Sequence, residues 1–154
     1  MDTIDLALQH HTQGRLDEAE RLYHQILQAE PNQPFAVHLL GVIAHQRGDH
    51  ALAVELITKA LAAKPNFAEA HNNLGMAYQG LGQWDDAVAS HHKAIALQPD
   101  NAEAHNNLGN ALGKLGQMDA AIGSLRQSLA IRPDNAETCL NLGIALQGLS
   151  QLDD

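Results

Sequence analysis

The sequence predicts an all-α fold, a solenoid of about nine helices, because one unit repeats along the chain. The segment 68–75 reads AEAHNNLG, recurs unchanged at 102–109 and returns in weaker form at 136–143, each time 34 positions later. Proline and glycine recur at the same spacing: these are Pro31, Pro65, Pro99 and Pro133, then Gly14, Gly48, Gly82 and Gly116, with Ser150 in the next slot. A period of this length is typical of repeat proteins, in which each unit buries its apolar surface against its neighbours.

Each repeat is predicted to contain two helices. Glycine favours the left-handed turn that ends a helix, and proline cannot continue one. One helix should therefore end near the glycine and the other before the proline. The predicted helices span residues 2–13, 16–29, 34–47, 50–63, 68–81, 84–97, 102–115, 118–131 and 136–149. Connections of about two to five residues make consecutive helices antiparallel.

We expect a single domain over residues 1–154, with repeats at about 1–33, 34–67, 68–101 and 102–135 and a partial copy at 136–154. The segment 151–154 (QLDD) parallels 83–86 (QWDD), where a second helix begins. The chain is therefore expected to be a fragment of a longer protein. The alternative is an end at which the 136–149 helix acts as a cap, and a cap is expected to have a more polar outer face.

The recurring residues also carry a family resemblance. Leu74-Gly75 in the first helix, Tyr78 three residues later, an alanine in the second helix and a proline near its end are similar to the tetratricopeptide repeat. The first copy departs most, with Ala7 at the glycine position and His10 at the tyrosine position. The resemblance covers the whole chain and implies a right-handed solenoid with a concave groove that binds proteins or peptides.

Helix geometry divides the repeated segment into two faces, since each residue advances by about 100° around the helix axis. In the third copy one face carries the residues predicted to pack, namely His71, Leu74, Gly75 and Tyr78. The opposite face carries the residues predicted to line the groove, which include Glu69, Asn72 and Asn73 and, in the fourth copy, Glu103, Asn106, Asn107, Asn110 and Lys114.

Asn73, Asn107 and Asn141 occupy the same position in successive repeats and should form a ladder. An asparagine side chain carries a donor and an acceptor, so it can pair with the N–H and C=O groups of an extended peptide. The pattern resembles the asparagine ladder of O-linked N-acetylglucosamine transferases, which implies a peptide-binding role for these three residues. The ladder stops at Leu39 and Asp5. The alternative is that the asparagines are solvated or bridge neighbouring helices.

Composition limits the partners. The formal net charge of −9 argues against nucleic acids and anionic membrane surfaces, both of which require clustered lysine and arginine. Lys114 is nearly alone among Glu69, Glu103 and Glu137, so a site that binds a C-terminal carboxylate is not expected. The expected ligand is a neutral or basic extended peptide. The chain has one cysteine and neither a secretory signal nor an apolar run of about 18 residues, so a cytoplasmic location is expected.

The histidines and Cys139 are the candidate chemical sites of the sequence. His11, His38 and His45 are predicted to cluster in the groove of the first two repeats, where metal binding stays open as an alternative. His71, His105 and Cys139 share a repeat position on the packing face and are expected to be buried. Of each of the pairs His10-His11 and His91-His92, one residue should face inward. No catalytic motif is present, and no cofactor is expected.

The sequence therefore predicts a noncatalytic scaffold that binds a protein or extended peptide along residues 68–147. Two alternatives stay open beside it. The chain could be the substrate-recruiting arm of a larger enzyme that resembles O-linked N-acetylglucosamine transferases. It could also assemble with itself through the apolar face of the 136–149 helix.

Overall fold

The computed structural model describes residues 2–152, and this part of the chain folds into nine α-helices without a strand. Their bounds are α1 Thr3–Thr12, α2 Leu16–Ala29, α3 Pro34–Gln46, α4 His50–Ala63, α5 Ala68–Gly80, α6 Trp84–Leu97, α7 Ala102–Lys114, α8 Met118–Ile131 and α9 Ala136–Leu152. Each lies where the repeat predicts it. The predicted start of a further helix within 151–154 lies partly outside the described residues.

Glycines end the first helices of the four complete repeats, α1, α3, α5 and α7, as the sequence predicts. Gly82 has a φ of +71°, which is the left-handed conformation that glycine adopts without a steric penalty. Its N–H donates to the Gln79 carbonyl at 3.0 Å, and the next N–H, from Gln83, donates to the Tyr78 carbonyl at 2.9 Å. The last carbonyls of α5 are thus satisfied, and the chain turns back into α6.

Close contact between the two helices of a hairpin depends on a second set of glycines. A Cβ at Gly109 would lie 2.5 Å from Leu125 Cγ, and one at Gly41 would lie 2.6 Å from Ile57 Cγ1. Fully buried alanines at one position of each second helix complete this contact: they are Ala19, Ala53, Ala87 and Ala121. The two helices of a hairpin therefore approach closely where these small residues face the partner helix.

The core runs through the stack in segments rather than forming one centre. Buried residues form three clusters, centred on α1–α3, on α3–α5 and on α7–α9. Each second helix packs against its hairpin partner and against the first helix of the next repeat. An ion pair adds to the first junction, where Arg47 contacts Asp17 at 2.5 Å and Glu20 at 2.7 Å. The predicted all-α solenoid is confirmed, and none of the helices in residues 2–152 is long and apolar enough to cross a membrane.

Candidate binding groove

The candidate groove lies along the first helices of successive repeats, which contact one another directly: α3 contacts α5, α5 contacts α7, and α7 contacts α9. Residues at one repeat position therefore line up across the stack. The ladder asparagines form such a row, and all three are partly exposed.

Each ladder asparagine is held by the preceding repeat. Asn107 Nδ2 donates to Asn72 Oδ1 at 3.2 Å, and Asn141 Nδ2 donates to Asn106 Oδ1 at 3.1 Å. At the junction before them, Asn73 Nδ2 lies 2.9 Å from His38 Nε2. The three contacts join residues 35 apart in the sequence, so one hydrogen-bond pattern repeats through the stack.

Asn72 and Asn106 are not groove residues, contrary to the prediction. Their exposed fractions are 4% and 5%, and each is enclosed by the following repeat. Each accepts from the ladder through Oδ1, and Nδ2 donates to a glutamate of the next repeat, from Asn72 to Glu103 at 3.1 Å and from Asn106 to Glu137 at 3.5 Å. The prediction was wrong because a helical wheel separates only two faces, whereas a first helix in a stack also packs against the next first helix.

The side-chain amides of the ladder asparagines use only part of their hydrogen-bonding groups within the protein. Within residues 2–152, Oδ1 of Asn73, Asn107 and Asn141 accepts no hydrogen bond from protein, and each Nδ2 uses one of its two hydrogens. Each amide is thus fixed in orientation by one bond to the preceding repeat. A donor and an acceptor stay free for a ligand.

A buried histidine joins the network between the third and fourth repeats. His91 is fully buried, with Nδ1 3.0 Å from Asn72 Oδ1 and Nε2 2.9 Å from Gln79 Nε2. Because an amide nitrogen only donates, Nε2 accepts and the ring is neutral with its hydrogen on Nδ1. Burial, assisted by the neighbouring His92, lowers the pKa of His91 to about 4. Gln79 Nε2 also donates to the Asn107 carbonyl at 3.0 Å.

The junction between the second and third repeats has an aromatic character instead. His38 is buried and meets Phe67 edge-on at 4.7 Å between ring centroids. Phe67 in turn contacts Phe35, and the Lys64 ammonium lies 4.4 Å from the centre of the Phe35 ring. Burial, with a smaller contribution from His11, lowers the pKa of His38 to about 4. Leu39 is buried where the ladder would continue.

The remaining predicted groove residues are exposed: these are Glu69, Glu103, Asn110 and Lys114. Asn110, Lys114 and Asn141 also line a pocket of about 190 Å³ between α7 and α9. The sequence did not predict this pocket.

The histidines of the first two repeats do not form a common site. His11 contacts Tyr23 at 3.3 Å and Gln46 at 3.1 Å, His38 contacts Asn73, and His45 contacts His50 at 3.0 Å. No group of three or more metal-ligating side chains is present within residues 2–152. The prediction that all three histidines cluster is therefore wrong, because each side chain bonds to a different neighbour and only His11 and His38 lie close enough to interact.

Two predictions of burial were also wrong. His71 and His105 are half-buried, and each Nε2 bonds to a loop carbonyl, of Pro65 at 2.8 Å and of Pro99 at 2.9 Å. Cys139 is exposed, because no second helix covers this face of α9 in the described part of the chain. The predicted division of His91 and His92 is confirmed, since His91 is buried and His92 is exposed.

Comparisons with known proteins agree with this architecture. Tetratricopeptide repeat profiles match residues 4–68 and 66–134. No curated protein sequence matches significantly. A crystal structure of MamA has a TM-score of 0.84 at 28% identity, covering 99% of this chain and 88% of that one.

Two further structures share the fold. One is the Cut9–Hcn1 hetero-tetramer of the APC/C, with a TM-score of 0.88 at 25% identity over 94% of this chain and 29% of that one. The other is the first tetratricopeptide domain of Spaghetti (RPAP3) bound to an HSP90 peptide, with a TM-score of 0.75 at 23% identity over 77% of this chain and 94% of that one. With the nine helices of residues 2–152 in register and family profiles matching from residue 4 to residue 134, the chain belongs to the tetratricopeptide repeat family.

Proposed function

We propose that the chain is a noncatalytic scaffold that binds an extended segment of another protein along the groove of α5, α7 and α9. One observation carries the proposal: among the residues described, 2–152, Asn73, Asn107 and Asn141 each keep an acceptor and an N–H without a protein partner, while a bond to the preceding repeat fixes the amide. An amide held in this way pairs with main-chain N–H and C=O groups at a reduced entropic cost of ordering.

The relatives support protein binding in general. MamA matches nearly the whole chain, and Cut9, whose structure was determined in complex with Hcn1, shares the fold over most of it. A row of main-chain contacts supplies affinity without reading side chains, so the ladder alone accepts many sequences.

Charge narrows the ligand class. Glu69, Glu103 and Glu137 are exposed at the N-terminal ends of α5, α7 and α9, and Lys114 is the only lysine or arginine within the described first helices. The groove is thus acidic along one edge. We therefore propose a neutral or basic peptide segment as the ligand, which the negative groove would attract over about a Debye length.

The ladder is tested by replacing Asn73, Asn107 and Asn141 together by alanine and measuring binding to a peptide array. Each ladder contact is a hydrogen bond of about 0.5–1.5 kcal/mol, so the triple variant should bind at least about tenfold more weakly. The comparison variant is Asn72→Ala with Asn106→Ala, which removes the bonds that fix the Asn107 and Asn141 amides but keeps the amides themselves, so it should weaken binding by less than the triple variant. Unchanged binding by the folded triple variant, or equal loss in both variants, would contradict the proposal.

Self-association is the second candidate, because α9 exposes an apolar surface. Leu140 is 64% exposed and Ile144 is 60% exposed, and exposed patches of this kind often mark interfaces. Light scattering over a concentration series should then show a dimer that Leu140→Lys and Ile144→Lys together dissociate. A monomer at high micromolar concentration would exclude this function.

A further inference from the structure

One position of the first helix is filled by a long polar side chain in each of the first three repeats and is empty in the fourth. His11, His45 and Gln79 occupy it in the first three, and Gly113 occupies it in the fourth. Gln79 turns inward to reach His91 and the Asn107 carbonyl, and His11 likewise reaches Tyr23 and Gln46. A Cβ built on Gly113 meets nothing within 4 Å.

The pocket between α7 and α9 lies at this empty position. It has a volume of about 190 Å³, and its lining includes Gly113 and Lys114 of α7, Met118 and Leu125 of α8, and Asn141 and Ile144 of α9. The equivalent of Leu125 in the third repeat is His91, which Gln79 contacts. The change from Gln79 and His91 to Gly113 and Leu125 therefore replaces a filled polar junction by an open apolar one.

Size and chemistry define what the pocket can hold. A cavity of about 150 Å³ lined by aliphatic and aromatic side chains accommodates benzene, so the present volume admits one aliphatic side chain. Leu125, Ala145, Met118 and Ile144 supply an apolar lining, and Asn141 places a ladder amide at the rim. A peptide main chain paired with that amide can thus direct a side chain into the pocket.

We infer that the pocket between α7 and α9 binds an aliphatic side chain of the extended ligand, with a single acidic residue next to it that pairs with Lys114 in a segment that is otherwise neutral or basic. This inference rests on the proposed peptide-binding function. Lys114 lines the pocket and forms no ion pair within residues 2–152, so a ligand carboxylate complements it. The ladder asparagines bind the main chain of the ligand, and the pocket adds selectivity for one of its side chains.

The test uses acetylated and amidated decapeptides of alternating serine and alanine, with binding followed by fluorescence anisotropy. The fifth residue is leucine, valine, serine or glycine, and the sixth is glutamate or glutamine. Burying a leucine side chain should strengthen binding by about tenfold or more over serine. Replacing glutamine by glutamate at the sixth position should increase the affinity about twofold to fivefold, as expected for an exposed ion pair. Lys114→Gln should remove this increase and leave the preference for leucine unchanged.

Gly113→Gln restores the side chain of the third repeat and is the blocking variant. It should remove the preference for leucine while keeping binding to the serine peptide. Gly123→Gln is the matched control, because Gly123 is an exposed helical glycine of α8, outside the pocket lining, and its Cβ would also meet nothing within 4 Å. Circular dichroism serves to check that both variants are folded.

The outcomes separate the two proposals. Binding without a preference for leucine, or a preference that persists in Gly113→Gln, overturns the pocket assignment and leaves the ladder standing if Asn73, Asn107 and Asn141 are still required. No binding to any decapeptide overturns both. Loss of the leucine preference in Gly113→Gln and its retention in Gly123→Gln support the pocket.

Discussion

At the residue scale, His91 makes folding dependent on pH. It is buried and neutral, and its pKa of about 4 lies below the value of about 6.5 for an exposed histidine. The unfolded chain therefore takes up a proton near pH 6.5, whereas the folded chain does so only near pH 4. Stability is complete above pH 6.5 and falls as the pH decreases through this interval.

We predict that the free energy of unfolding falls by about 2 kcal/mol between pH 7 and pH 5 for each of His91 and His38, which share the same shift. Urea denaturation at several pH values measures this. His91→Leu should reduce the pH dependence by about half, since Leu125 shows that the equivalent position accepts leucine. His92→Leu is the exposed control, and a wild-type slope in His91→Leu would contradict the assignment.

The sequence predicts some residue-scale features of the groove and not others. The row of Asn73, Asn107 and Asn141 was predictable from the period, because equal positions in equal repeats must line up. The burial of Asn72 and Asn106 was not, because it depends on how far the next first helix rotates against theirs. The sequence offered one indication of a buried polar network here. His91 has the same repeat position as Ile57 and Leu125, which are core residues, so a buried polar partner for its ring could have been expected.

At the element scale, helix spacing within a hairpin is set by glycine facing a large side chain. Gly109 meets Leu125 and the Ala121 carbonyl so closely that a Cβ would lie 2.5 Å and 3.1 Å from them. The equivalent Gly143 of α9 has nothing within 4 Å, because no second helix packs there in the described residues.

We predict opposite effects of the same substitution at these two sites. Gly109→Ala should lower the free energy of unfolding by about 1–2 kcal/mol, because overpacking outweighs the gain in helix propensity. Gly143→Ala should raise it by up to about 1 kcal/mol, the propensity gain alone. Chemical denaturation checks both. Equal changes in the two variants would show that hairpin contact does not limit the residue at Gly109.

The helices themselves were largely predictable, since proline and glycine recur in register and mark both ends of each hairpin. The structure differs mainly in α9, which continues to Leu152 instead of ending at 149. The glycine that ends α1, α3, α5 and α7 is replaced by Ser150 at the same repeat position. Unlike Gly116, Ser150 does not adopt the left-handed conformation that ends a helix. The pocket beside Gly113 was not predictable in this way, because it arises from a missing side chain and not from a recurring one.

At the scale of the whole molecule, charge opposes folding. The chain carries 18 acidic and 9 basic residues, and within residues 2–152 only Arg47 forms ion pairs, with Asp17 and Glu20. Repulsion among the remaining carboxylates is thus poorly compensated in the compact state. In a solenoid each repeat contacts only its neighbours, so electrostatic repulsion acts mainly between adjacent repeats. It does so at every junction of the stack.

We predict that sodium chloride stabilises the protein. Raising the concentration from about 10 mM to about 300 mM shortens the Debye length from about 30 Å to below about 8 Å, so distant carboxylates cease to repel while buried contacts are unaffected. Thermal unfolding at pH 7 should then shift upward by several degrees, which for a chain of this size corresponds to about 1 kcal/mol. Exposed Glu55 in the middle of α4, a second helix, provides the control, because Glu55→Lys reduces the net negative charge from −9 to −7 without touching the groove. That variant should be more stable than the wild type at low salt and should respond less to added salt. A melting temperature that falls with salt would mean that ion pairs, and not repulsion, dominate the electrostatics of the solenoid.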